Sequence, residues 1–392
     1  MNKTICSKMM SIFFLLITLI LLPNFSYAED IIDTGQFLED TESDFKIKDF
    51  LKETENYAPY FLKDMDISSI FKSATTGKID NKNILKKFAS LLTSEVKGTL
   101  KILITILIIV LIHSLLKAIT EGLENNGVTK IVYYVEYILI VTIIMSNFSE
   151  ILKNITETIE NLVGFSRILI PLLMSLMLYT GSIATTSVVE PILLFLIEFI
   201  ANFINVLIIP MISVITVLII VSKITDKVQI AKLAGFLKSS IIWGLGLVLT
   251  LFVGVLSLEG SLTSSVDGIT AKTTKAAVSS LIPVVGKILG DGVDAILGCG
   301  VVLKNAVGIV GVIVIIGICL MPIIKLSTFC IMYSLSSCIV EPIADQKIVK
   351  LLSEMGGIFK LLLAVLCSVS ALLIIGVTLV VKISNSGMMY RW

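Results

Sequence analysis

The sequence predicts an all-α protein: a polytopic membrane helix bundle with an internal repeat and a small helical extracytoplasmic N-terminal domain. Three observations predict it. Apolar blocks long enough to cross a bilayer follow one another through residues 99–392. A short apolar run stands at the start of the chain, behind two lysines. One hydrophilic stretch, residues 29–98, separates the two. Mean hydropathy is +0.99, and 56% of the 392 residues are hydrophobic against 16% charged, which excludes an ordinary soluble domain. The net charge of +1 supplies no field for holding nucleic acid.

At the start, Lys3 and Lys8 precede an apolar run from Met9 to Leu22. Ser26 and Ala28 place small residues at both specificity positions of a signal-peptidase site. Residues 1–28 therefore read as a cleavable secretory signal whose apolar core is too short to remain as an anchor. The mature chain then begins near Glu29, outside the cytoplasm. Residues 29–98 are acidic first (Glu29, Asp30, Asp33, Glu39, Asp40) and lysine-rich later (Lys72, Lys78, Lys82, Lys86, Lys87). Phe45, Phe50 and Leu51, then Ile84, Leu85, Phe88, Leu91 and Leu92, recur at helical spacing. This predicts a helical domain with a marginal core, one that leans on the membrane domain or on a partner. The alternative is a loosely ordered acidic leader.

Residues 99–392 form the polytopic domain. Residues 100–119 are the first span, running inward, and 121–127 a cytoplasmic turn. Residues 131–148 return outward, and 151–163, with Lys153, Glu157 and Glu160 on one side, read as an interfacial amphipathic helix. Further apolar blocks are 168–189, 192–221, 241–258, 281–303, 307–324, 326–340 and 361–381. As one helix, 192–221 would reach about 45 Å, against a hydrocarbon core of about 30 Å; Pro210 inside it predicts a kink or a break. Block 281–303 carries Gly286, Gly290, Gly292, Gly298 and Gly300 with Lys287, Asp291 and Asp294, which suits a re-entrant element or a helix lining a protected cavity. The basic connections 223–238 (Lys223, Lys227, Lys232, Lys238) and 347–360 (Lys347, Lys350, Lys360) are assigned to the cytoplasm.

Proline spacing supplies the repeat. Pro171 is followed by Glu190 and Pro191, and Pro322 by Glu341 and Pro342, at one constant offset. Both pairs sit in the sequence Val-Glu-Pro-Ile. Residues 168–224 and 319–383 then read as copies of one unit, each with a helix break at its Glu-Pro step. A second spacing, Pro171 to Pro210 against Pro283 to Pro322, competes with this alignment.

The residues singled out are few. Glu190, Pro191, Glu341 and Pro342 read as markers of helix breaks, and the functional alternative is a carboxylate placed there to meet an ion, a proton or a lysine. Glu198, Asn202 and Asn205 share one helix face, and a carboxylate at about 3 kcal/mol of insertion cost should turn into the protein. That face is either interhelical glue or a conduit lining. Glu136 and the lone His113 read as structural packing with a conduit role as the alternative. Cys299, Cys319, Cys330, Cys338 and Cys367 lie in apolar surroundings and read as packing residues. No nucleophile elbow, phosphate loop or HExxH is present, so no catalytic, cofactor-binding or metal residue is assigned.

The exported start, the acidic helical segment, the two Val-Glu-Pro-Ile motifs and the segment Ile282, Pro283, Val284, Val285, Gly286 together resemble the stage III sporulation protein AE family of endospore-forming bacteria. The resemblance implies a mother-cell membrane protein made with the other stage III sporulation A-operon proteins. With them and a forespore membrane protein it would form a channel-like complex, one partner resembling ring-building secretion parts and another a secretion ATPase. It implies no catalytic residue. On the residues alone, a free-standing secondary transporter and a non-conducting membrane scaffold for ring proteins stay open. N-terminal sequencing of the membrane-extracted protein should begin at Glu29; intact Met1 on most molecules would refute the signal and unsettle the orientation built on it.

Overall fold

The computed structural model describes residues 47–54, 56–57, 70–71, 96–112, 114–115, 126–224, 231–281 and 286–389. The signal segment, most of residues 29–98, His113 and most of the turn at 121–127 lie outside them. The named elements are α1 (Ile47–Thr54), α2 (residues 96–112), α3 (Asn126–Tyr179), α4 (Ile183–Phe203), a π-helical turn (Ile204–Ile208), α5 (Ile209–Ile224), α6 (Ala231–Leu281), α7 (Gly286–Val340) and α8 (Gln346–Met389). Among the described residues the protein is all-helical.

Among the described residues, five stretches are long and apolar enough to cross a membrane: Tyr133–Tyr179, Ile183–Ile224, Lys232–Asp267, Gly298–Val340 and Gln346–Ile383. At 1.5 Å per residue the first is about 70 Å long, so these helices extend well past the hydrocarbon. The helix α2 adds an apolar segment where the first span is expected. Thr99, Leu103, Ile106 and Val110 are buried along one face, while Leu100, Ile104, Ile108 and Leu111 turn outward.

The last helix holds the bundle together. The apolar stretch of α8 is 72% buried, that of α6 only 28%. Around α8 stand α7, α3, the α4–α5 rod and α6. Small residues let them approach: a Cβ on Gly311 would lie 2.6 Å from Leu169. Many hydroxyls within the spans bond back to their own helix, as Thr216 Oγ1 does to the Ile212 carbonyl at 2.9 Å; the buried Thr185 Oγ1 has no hydrogen-bond partner.

The sequence-based boundaries need several corrections. Residues 151–163 are not a separate interfacial helix; they continue α3, with Ile151, Ile155, Ile159 and Leu162 in the core. Blocks 307–324 and 326–340 are one helix through Pro322, because proline is tolerated where neighbouring helices compensate its missing bond. Block 281–303 is not one span: it covers the end of α6 and the start of α7, and from Gly286 onward its backbone is helical. Finally, Glu190 and Pro191 do not break a helix: they lie inside α4. Glu341 and Pro342 do end one, in the turn between α7 and α8. Adding 151 to the observed turn at 180–182 gives 331–333, inside α7. The Val-Glu-Pro-Ile match therefore does not carry turn onto turn. The break expected at Pro210 does not occur either: Ile183–Ile224 runs on as one helix, with a π turn just before the proline, closed by the Ile209 N–H on the Ile204 carbonyl.

The turn that replaces the expected break is well determined. Gly181 adopts a φ of 80°. Ser182 N–H donates to the Met177 carbonyl and Gly181 N–H to that of Leu178, both at 2.9 Å. This is the Schellman ending of α3, and glycine supplies its left-handed residue. The start of α4 is capped differently. The Ser182 side chain makes no capping bond. Instead Asp267 of α6 accepts the Ala184 N–H at 2.8 Å and the Thr185 N–H at 3.0 Å. Gly300 of α7 closes the corner, since a Cβ there would lie 2.7 Å from the Tyr179 ring and 2.9 Å from Thr180. Replacing Asp267 by Ala should lower the thermal stability of detergent-solubilised protein by about 1–2 kcal/mol. Asp267→Asn should recover part of the loss, because the amide oxygen still accepts; equal stability of all three proteins in a melting assay would show that the cap contributes nothing.

Candidate functional site

The turn Thr180–Ser182, Asp267 and Gly300 define one end of the bundle; Tyr133, Lys223 and Lys347 define the other. Between them, residues 199–222, 239–258, 305–324 and 361–381 hold no Asp, Glu, Lys or Arg. Each is about 20 residues or longer, the length a span needs. The remaining long helix, α3, breaks the pattern. Glu150, Lys153, Glu157, Glu160, Asn161 and Arg167 are all exposed on it. Glu150, Lys153, Glu157, Glu160 and Arg167 fall at intervals of three, four, three and seven, hence on one face.

This polar face lies level with the uncharged stretches of the other helices. Leu169 meets Gly311, and Glu150 bonds Lys325 at 2.6 Å, so the intervening part of α3 runs beside residues 311–325 of α7. Charge on the face is largely matched. Lys153 and Glu157 stand 3.8 Å apart. Arg167 Nε donates to Glu198 Oε1 at 2.6 Å across the α3–α4 hairpin. The side chains of Arg167 and Glu198 are 63% and 47% exposed.

A hydrophilic helix rests at the same level. Phe50 of α1 and Tyr57 pack on Phe165, ring centroids 6.1 and 6.0 Å away. Lys48, Asp49, Lys52 and Glu53 of α1 remain exposed. Hydrocarbon would have no partner for any of these groups.

The structure separates the residues chosen from the sequence. Glu198 and Asn202 do share a face, but it is the outer one, not the interior. The inward expectation failed because the partner of Glu198, Arg167, lies 31 residues away in sequence and satisfies the carboxylate from outside. Asn205 falls in the π turn and is only half-buried, with its Oδ1 buried and unpartnered. Glu190 is half-buried, and Glu341 and Pro342 are exposed at the far end. Glu136 is buried at that same end. There Tyr137 donates to the Ile220 carbonyl at 2.5 Å and Tyr133 to that of Lys223 at 3.3 Å. Lys223 pairs with Glu354 at 2.8 Å, joining the two basic segments.

Sequence reasoning missed Arg167, Asp267 and Lys304. Arg167 carries a signal, being one of two arginines among 31 basic residues. Lys304 is fully buried and donates to the Val381 carbonyl at 3.4 Å; nothing local in the sequence announces it.

A bundle of long apolar helices of this kind defines a multi-pass membrane protein. The chain belongs to the stage III sporulation protein AE family, whose model matches residues 65–384. It is 29% identical over 307 residues to the stage III sporulation protein AE of Bacillus subtilis (strain 168), covering 78% of this chain and 77% of that protein. No solved structure matches it.

Removing one charge of the Arg167–Glu198 pair should be worse than removing both. Arg167→Gln or Glu198→Gln alone leaves one ion without its partner, which for a pair this exposed costs about 1 kcal/mol or less. The double substitution, or the reversal Arg167→Glu with Glu198→Arg, should recover folded protein. Size-exclusion profiles of the four variants check this; single variants as abundant as the parent would remove the pair's structural role.

Proposed function

We propose that this chain is the permease-like membrane component of a channel complex between mother cell and forespore, needed for sporulation after engulfment. Its partners in this reading are the other stage III sporulation A-operon proteins and, through them, a forespore membrane protein. The chain sits in the mother-cell membrane around the forespore, with its mature N-terminus extracytoplasmic and both basic segments in the cytoplasm. The observation that carries the reading is the combination of family membership with a continuous polar face at the depth of the apolar spans. A protein that only met lipid would have no use for such a face.

One observation favours a second reading, a non-conducting scaffold for ring proteins. The void between α3, α4, α6 and α8 is about 10 Å³ and is lined by Val163, Ile197, Phe252 and Leu372 among other apolar residues. That is room for one water at most, so a single copy offers no route there.

Affinity purification from sporulating cells tests the proposal. Operon-encoded partners should co-purify with the tagged chain. Recovery of the chain alone, together with solute uptake by the purified chain in liposomes, would instead establish a free-standing transporter.

A further inference from the structure

We propose that the polar face of α3 lines a water-filled lumen shared between copies of this chain. The inference rests on the conduit reading and names what faces the stripe. Three observations carry it.

The first is length. From Glu150 to Arg167, both exposed, the charged stripe covers about 26 Å of helix, most of the depth of the hydrocarbon core. The second is sidedness. The exposed face of α6 presents Trp243, Leu247, Leu251 and Leu258, which suits acyl chains. Helices α3 and α6 have no substantial contact. One exposed face of each copy is thus apolar and another polar, as a subunit placed around an aqueous axis requires. The third is charge. Arg167–Glu198, Lys153–Glu157 and Lys325–Glu150 are already paired within the chain. Such a face leaves little net charge to attract an oppositely charged partner. It can meet identical faces across water without strong repulsion, and the asparagine side chains donate and accept equally. The void enclosed between α3, α4, α6 and α8 is apolar and minute, so the stripe, and not that void, is where this chain offers water a surface.

The test uses the full chain in membranes isolated from sporulating cells. Single cysteines replace Glu157 or Asn161 on the stripe, or Leu251 and Val214 as apolar controls, in a cysteine-free background. Stripe thiols should react with a charged maleimide at least about tenfold faster than the controls, since water-facing thiols ionise and lipid-facing ones do not. A bis-maleimide at position 157 should join copies of the chain into a ladder beyond the dimer. Equal rates at stripe and controls would overturn the lumen. So would fast labelling without any cross-link between copies, or cross-links that run only to residues 58–95 of the same chain or only to a different protein. A chain that co-purifies with its partners yet fails these measurements loses the lumen and keeps the conduit reading; one that passes them without partners loses the reverse.

Discussion

The Asp267 carboxylate, set against the first turn of α4, is the contact on which the hairpin of α3 and α4 depends. A helix start leaves backbone N–H groups without partners, and in an apolar phase each unsatisfied one is expensive. Ser182 stands in the capping position but does not cap; Asp267 reaches across from α6 to do it. One side chain thereby satisfies two donors, answers the positive end of the helix, and ties α6 to the corner. With Gly181 shaping the turn and Gly300 admitting Tyr179, three distant parts of the sequence meet at one end of the bundle.

The register of everything below follows from that corner. Once α3 and α4 start together, Arg167 and Glu198 fall opposite each other. Leu169 then reaches Gly311, Glu150 reaches Lys325, and Asn147 reaches the Tyr333 hydroxyl at 3.1 Å. At the far end the Tyr133 and Tyr137 hydroxyls and the Lys223–Glu354 pair close the bundle. Polar groups thus sit mainly at the two ends and along one outer face, while α8 fills the middle with apolar side chains. This division gives the protein its two unlike flanks.

The polar face explains why α3 misled the sequence reading. Lys153, Glu157 and Glu160 at helical spacing describe an amphipathic helix wherever it lies. An interfacial helix and a transmembrane helix with one wetted side have the same pattern. What tells them apart is whether the apolar side is buried against other helices at membrane depth, and here Ile151, Ile155, Ile159 and Leu162 are. Glu198 misled in the opposite sense. Its cost in lipid was judged correctly, but the remedy was a partner on the neighbouring helix instead of burial.

By itself the sequence determined the all-helical, multi-pass class, the family resemblance and an irregularity in the helix near Pro210. These are local or additive properties, carried by apolar run length and by a missing backbone N–H. The cap on α8 is equally local, Asp345 accepting the Lys347 N–H at 2.9 Å from two residues away, though the sequence reading did not single it out. Only the tertiary structure decided where the helices turn and which faces look outward. Two identical Val-Glu-Pro-Ile motifs take different fates, helical in α4 and a turn after α7. Proline biases its neighbour away from the helix but does not forbid one, and the packing around it settles the outcome. The Asp267 cap, the buried Lys304 and the Arg167–Glu198 pair join residues 31 to 83 positions apart. No periodicity encodes such contacts, because their energy appears only when the helices are side by side.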